Sequence, residues 1–145
     1  LLQGEVYGLR ILEAEPAEGM LNTLNALKQA GIPMVLVSHK TRTPYKGPTY
    51  DLHKAAWSWL EKHGFFAANF LNWSRKQVFF EESKQAKISC ISRLGCTHYI
   101  DDLPEILSML PTKIERILYD PNHRSNNSDY ILLTNWSTLC KSKIL

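Results

Sequence analysis

Apolar and polar positions along this chain switch repeatedly between two periods. Over residues 17–30, Ala17, Met20, Leu21, Leu24 and Leu27 fall on one helical face, and Gly31 ends the pattern. Pro33 then precedes Met34-Val35-Leu36-Val37, an unbroken apolar run suited to a strand buried on both faces. A polar loop with Pro44, Gly47 and Pro48 follows. Residues 50–63 place Leu52, Ala55, Ala56, Trp59 and Leu60 at i, i+3, i+4, i+7 and i+8, which predicts an amphipathic helix closed by Gly64. Residues 67–73 read as a further helical turn or two, and Gln77-Val78-Phe79-Phe80 as the next strand. A helix over 84–94 carries Ile88, Ile91 and Leu94 inward and stops at Gly95. His98-Tyr99-Ile100 is a strand, residues 104–109 a short helix, and Arg116-Ile117-Leu118-Tyr119-Asp120 and Tyr130-Ile131-Leu132-Leu133 two more strands. A last helix is expected over 135–141, while residues 5–12 read either as a strand or as an extended arm.

Strands alternating with helices predict right-handed crossover units and a mostly parallel sheet with helices on both faces. No internal repeat, low-complexity tract or linker divides the chain, and 145 residues make one domain able to bury a sizeable core. The balance of 44% hydrophobic and 21% charged residues is ordinary for a globular protein. The net charge of +3 is small, and the basic residues are scattered rather than gathered into a nucleic-acid stripe. No apolar run approaches the ~20 residues of a membrane-crossing helix, and no charged start leads into the apolar stretch of a signal peptide. Cys90, Cys96 and Cys140 are unevenly spaced and form no Cys-x-x-Cys pair. We read them as free thiols of a reducing cytoplasm rather than zinc ligands.

The apolar strand at 98–100 ends in Asp101 and Asp102, with Pro104 just beyond. A buried parallel strand delivers acids in this way to the carboxyl edge of a sheet, where α/β proteins place ligands. Two adjacent carboxylates repel, so such a pair usually has a cation or a hydrogen-bond network to hold. The simpler alternative is a solvated turn in which Asp102 caps the next helix. Two other positions bear on the choice. Ser38, after the first apolar strand, offers a hydroxyl to a phosphate oxygen, or a cap to a turn. Lys87, with Lys84 one turn earlier, lies near a helix start, where the macrodipole favours acids rather than cations.

A strand ending in Ser, then a Lys, then a strand ending in Ile-Asp-Asp resembles the haloacid dehalogenase (HAD) superfamily of phosphohydrolases. The resemblance spans residues 16–121. It rests on Pro16-Ala17-Glu18-Gly19-Met20, Val35-Leu36-Val37-Ser38-His39-Lys40-Thr41, Lys87, Tyr99-Ile100-Asp101-Asp102-Leu103-Pro104-Glu105 and Ile117-Leu118-Tyr119-Asp120-Pro121. It implies a three-layer Rossmann-like (HAD-like) α/β domain with little or no cap domain. It further implies phosphate binding at Ser38 and His39, charge balance by Lys87 (with Lys84 as second choice), and Mg²⁺ held by Asp101 and Asp102. The implied partner is a phosphorylated small molecule or a larger phosphorylated substrate, with no nucleic acid or membrane, and with an oligomer possible. The expected location is cytoplasmic.

One departure from the superfamily's pattern is serious. Its reaction starts from Asp-x-Asp on the first strand, where the first Asp attacks phosphorus and the second is the general acid/base. No Asp-x-Asp occurs in this sequence. Glu13-Ala14-Glu15 has the spacing, but it directly precedes Pro16 and the first helix, and Glu is a methylene longer. Positional errors near ~1 Å can cost about 10²-fold in rate, so the pair is a poor substitute. Two accounts follow. In the favoured one the chain is shortened at its N-terminus, the intact form is a phosphatase acting through an aspartyl-phosphate, and residues 5–12 take part of the vacated first-strand position. In the other the polypeptide is a non-catalytic relative that binds a phosphorylated ligand or a protein partner.

The loop leaving Ser38 is basic and rich in donors, and Lys40, Thr41, Arg42, Lys46 and His53 are its candidate substrate contacts. Trp57, Trp59, Trp73 and Trp136 read as core or partly buried rather than as a ligand cage, and His98 and His123 as ordinary polar residues. A signalling receiver domain would place its acid pair before the hydroxyl and the lysine, and a dinucleotide site would want Gly-x-Gly-x-x-Gly, which the seven glycines never form.

Overall fold

The computed structural model describes residues 16–39, 52–125 and 129–141. Their order is α1 (Met20–Gln29), β1 (Leu36–His39), α2 (Leu52–Lys62), β2 (Val78–Glu81), α3 (Lys84–Arg93), β3 (His98–Asp101), α4 (Pro104–Met109), β4 (Glu115–Tyr119) and β5 (Ile131–Leu133). Short 3-10 turns cover Arg75–Gln77 and Trp136–Lys141. All described strand pairs are parallel. β1 pairs with β2, and β3, β4 and β5 pair in that order. The chain is therefore α/β with small parallel sheets.

Strand alternation sorts the core into two clusters. Leu36, Val78, Ile100, Ile117 and Leu133 pack with α1, α2 and the Trp136 turn through Leu24, Leu27, Ala56, Trp59, Leu60 and Leu139. Their neighbours Val37, Tyr99 and Leu118 pack instead with α3 and α4 through Cys90, Ile91, Ile106 and Leu107. Strands that are apolar at successive positions are what two buried faces require. Trp59, Trp73 and Trp136 are buried and Trp57 is half-buried. Cys90 and Cys96 are free thiols. Among the described residues no helix is long and apolar enough to cross a membrane.

Three elements differ from the expectations. The first strand runs over Leu36–His39 rather than 34–37, because its ladder with β2 continues through Ser38↔Phe80 and His39↔Glu81. Residues 67–73 are turns, not helix. The Trp73 N–H reaches back to the Phe65 carbonyl at 2.7 Å, and Asn72 takes φ 51°, so the segment folds onto itself instead of extending. The C-terminal segment winds as a 3-10 turn, with Thr138 N–H on the Asn135 carbonyl. On α3, Ile91 is buried as expected, but Ile88 and Leu94 are half-buried, and Lys87 and Cys90 complete the inward face. Residues 5–12 and the loop positions Lys40, Thr41, Arg42 and Lys46 lie outside the described residues.

Candidate functional site

Ser83 starts α3, its hydroxyl accepting the Ala86 N–H at 3.0 Å, which satisfies one of the donors a helix start leaves open. That start fixes the helical phase. Lys87, Cys90 and Ile91 then fall on one face, and all three are buried. An ammonium on the inward stripe of a helix needs a partner, since an unpaired buried charge costs several kcal/mol. β3 supplies it. Tyr99 and Asp101 share the strand face toward α3, and Lys87 Nζ donates to Asp101 Oδ2 at 2.8 Å with both side chains fully buried. The ammonium also lies 5.6 Å from the Tyr99 ring centroid, at the outer range of a cation–π contact.

The other oxygen of Asp101 is engaged as well. Oδ1 accepts the Leu103 N–H at 2.9 Å, which turns the chain off the strand end toward α4. Leu103, not Asp102, occupies the cap position of α4, and no side chain caps that helix. The capping alternative for Asp102 is therefore not what the fold uses; its side chain is half-buried at the strand end. Lys84, the second choice, lies elsewhere. It points outward to Glu105 Oε2 at 2.8 Å, an exposed ion pair between α3 and α4 of the kind worth at most about 1 kcal/mol.

Ser38 is fully buried in β1, and His39 is half-buried at the strand end. The hydroxyl of Tyr99 donates to the Val37 carbonyl at 3.1 Å, so a side chain of the acid strand is tied to the backbone beside Ser38. By strand alternation Ser38 shares the face of Leu36, and Asp101 the face of Tyr99. The lysine and the acid are thus in direct contact, whereas the Ser38 face turns toward the α1/α2 cluster and the Asp101 face toward the α3/α4 cluster. Among the described residues no group of three or more His, Cys, Asp and Glu side chains could hold a metal ion, so Asp101 and Asp102 carry that expectation alone.

Two features of this region were not read from the sequence. Tyr99 looks like one more apolar strand residue, and only the tertiary placement of β1 reveals what its hydroxyl does. Asp120, just past the end of β4, reads in the sequence as one more strand residue. Its carboxylate accepts Ser125 N–H at 2.9 Å and Arg124 N–H at 3.0 Å, and those bonds hold it below the usual carboxylate range. An acid followed at short distance by Pro121 and Asn122 is a turn signal that could have shown this. His53, from the basic loop's far end, sits in the first turn of α2 with its ring 5.5 Å from Phe80. A scan of protein-family models finds none that matches this chain, and a search of curated proteins finds no relative.

Proposed function

We propose that this chain is a HAD-like domain, three-layered around its parallel strands, whose strand-end rim binds a phosphoryl group in the manner of a Mg²⁺-dependent phosphohydrolase. The observation that carries the reading is the buried 2.8 Å pair of Lys87 and Asp101 at the carboxyl end of β3. A charge pair this deep in a core is a costly way to gain stability, because an apolar pair of similar volume often serves as well. Placed where parallel strands end, it is a positioned cation and acid beside an anion site.

In this reading Lys87 places positive charge against phosphoryl oxygens, and Ser38 donates a hydroxyl hydrogen bond to one of them. The Leu103 N–H and Lys87 hold the Asp101 carboxylate in one orientation. Those contacts use one site on each Asp101 oxygen, and a carboxylate has about four, so the donor set fits a hard cation completed by water and substrate oxygens. Mg²⁺ bound there would add positive charge to the phosphoryl group. Because the sequence contains no Asp-x-Asp, these residues bind and orient the group without turning it over. The second reading is a non-catalytic module for a phosphorylated ligand or protein partner.

Titration calorimetry with inorganic phosphate, with and without MgCl₂, tests the site. We expect binding that Mg²⁺ strengthens, and a loss of about tenfold or more in Ser38→Ala, the worth of a hydrogen bond to a charged group. Absence of phosphate binding to the folded protein overturns the proposal. No Mg²⁺-dependent hydrolysis of aryl phosphates is expected, and robust turnover would refute the view that this chain lacks its nucleophile. In-frame upstream codons encoding an apolar run that ends in Asp-x-Asp favour the enzyme; a natural start codon at residue 1 favours the binding module.

A further inference from the structure

A row of half-buried rings begins beside the proposed phosphoryl site. The β1–β2 register sets Phe80 directly opposite Ser38, one strand spacing of about 4.8 Å away and on the same face. His53 packs its ring against Phe80 at 5.5 Å with a 39° tilt, and Trp57 meets Phe80 edge-on at 5.1 Å. His53 and Trp57 are i and i+4 on α2, hence neighbours on its surface. The row continues from Trp57 to Phe66 at 5.9 Å, where the Arg75 guanidinium lies over both rings at 5.0 and 5.2 Å.

Trp57, Phe66 and Phe80 pack one side against the α1/α2 core, and the core does not close over them. The aromatics that the core needs here, Trp59, Phe65 and Trp73, are buried, whereas His53, Trp57, Phe66 and Phe80 are all half-buried and Arg75 is exposed. The partly open rings form one path from the Ser38 strand end to a cation. Faces of aromatic rings and guanidinium planes are what flat π-systems stack on.

We propose that His53, Phe80 and Trp57 form a subsite for a planar aromatic substituent, so that the ligand class is a phosphate monoester carrying an aromatic ring or base. This rests on the phosphoryl-binding reading above. The phosphoryl group sits at Ser38 and Lys87, and its ester substituent runs outward over β2 along the rings. The step is binding only.

Calorimetry with inorganic phosphate, glycerol 1-phosphate, phenyl phosphate and adenosine 5′-monophosphate separates the two claims. The expected result is that the two aromatic esters bind about tenfold tighter than glycerol 1-phosphate. That ratio should fall toward one in Phe80→Leu, and in Trp57→Leu as a second variant, with circular dichroism showing that each is folded. Equal affinity for aromatic and aliphatic esters overturns the subsite and leaves the phosphoryl site standing. A preference that survives both substitutions also overturns it, because the ring then binds elsewhere. Failure of every probe to bind the wild-type chain overturns the phosphoryl reading and this inference with it.

Discussion

Lys87 is the residue on which most of the site depends. Its ammonium is fully buried, and Asp101 accepts from it at 2.8 Å. Removing the lysine leaves a carboxylate 2% exposed, with the Leu103 N–H as its remaining described donor. Lys87→Met is therefore expected to cost about 3–5 kcal/mol in urea unfolding. The double variant Lys87→Met/Asp101→Asn, which removes the stranded charge, should recover part of that loss; a double variant no more stable than the single one would show that the pair is not what holds this part of the core. Cys90, on the same inward face, gives a pH signature. Burial, with Glu81 beside it, pushes its thiol up to about 11. An ordinary thiol in the unfolded chain ionises near ~8.5. Above that pH the unfolded state gives up a proton that the folded state keeps, so this contribution is complete below about pH 8.5 and is lost as pH rises toward 11. Unfolding midpoints at pH 8 and pH 10.5 should differ less in Cys90→Ala than in the wild type.

At the scale of elements, the helix stops are local chemistry and so were legible. Gly31 and Gly64 follow α1 and α2 in the left-handed region, at φ 78° and 84°, where a side chain costs about 1–2 kcal/mol. The two sites differ in what surrounds them. A Cβ at Gly31 meets nothing within 4 Å, whereas one at Gly64 lies 2.9 Å from Phe70 Cδ2. Both Ala variants should melt lower, Gly64→Ala by the larger amount; equal losses in a thermal scan would mean that Phe70 moves aside at no cost. The short helix over 104–109 is legible at its observed bounds, since Pro104 fits only the first turn. The end of β1 is hidden from periodicity for a physical reason: Ser38 and His39 are polar, so the apolar run stops where the hydrogen-bond ladder does not. The burial of Lys87 was equally invisible to periodicity, which assigned the inward face of α3 to Ile88, Ile91 and Leu94. Only the order of Ser38, Lys87 and Asp101 along the chain singled the lysine out, and the Phe80 ring row depends on a register between strands that no single segment encodes.

At the scale of the whole molecule, the described strands form two parallel sets, β1 with β2 and β3 with β4 and β5. Ser38 belongs to the first set and Asp101 to the second, so a site using both depends on how the sets are held together. The α1/α2 cluster spans them, because it contains Leu36 and Val78 from one set and Ile100, Ile117 and Leu133 from the other. A directional tie is the Tyr99 hydroxyl on the Val37 carbonyl, one residue before Ser38 and two before Asp101. Packing area is tolerant of small sliding movements, whereas a hydrogen bond at 3.1 Å weakens steeply once its geometry is lost. Tyr99→Phe keeps the ring, its place in the α3/α4 cluster and its contact with Lys87, and deletes only the tie. We expect a stability loss of about 0.5–1.5 kcal/mol, the net worth of one hydrogen bond. We also expect phosphate affinity to fall by several-fold, although Tyr99 itself touches no ligand in this reading. Affinity at the wild-type level in a destabilised Tyr99→Phe would show that the core alone sets the spacing of Ser38 and Asp101. A loss of affinity matching that of Ser38→Ala would place the control of the rim in this single bond.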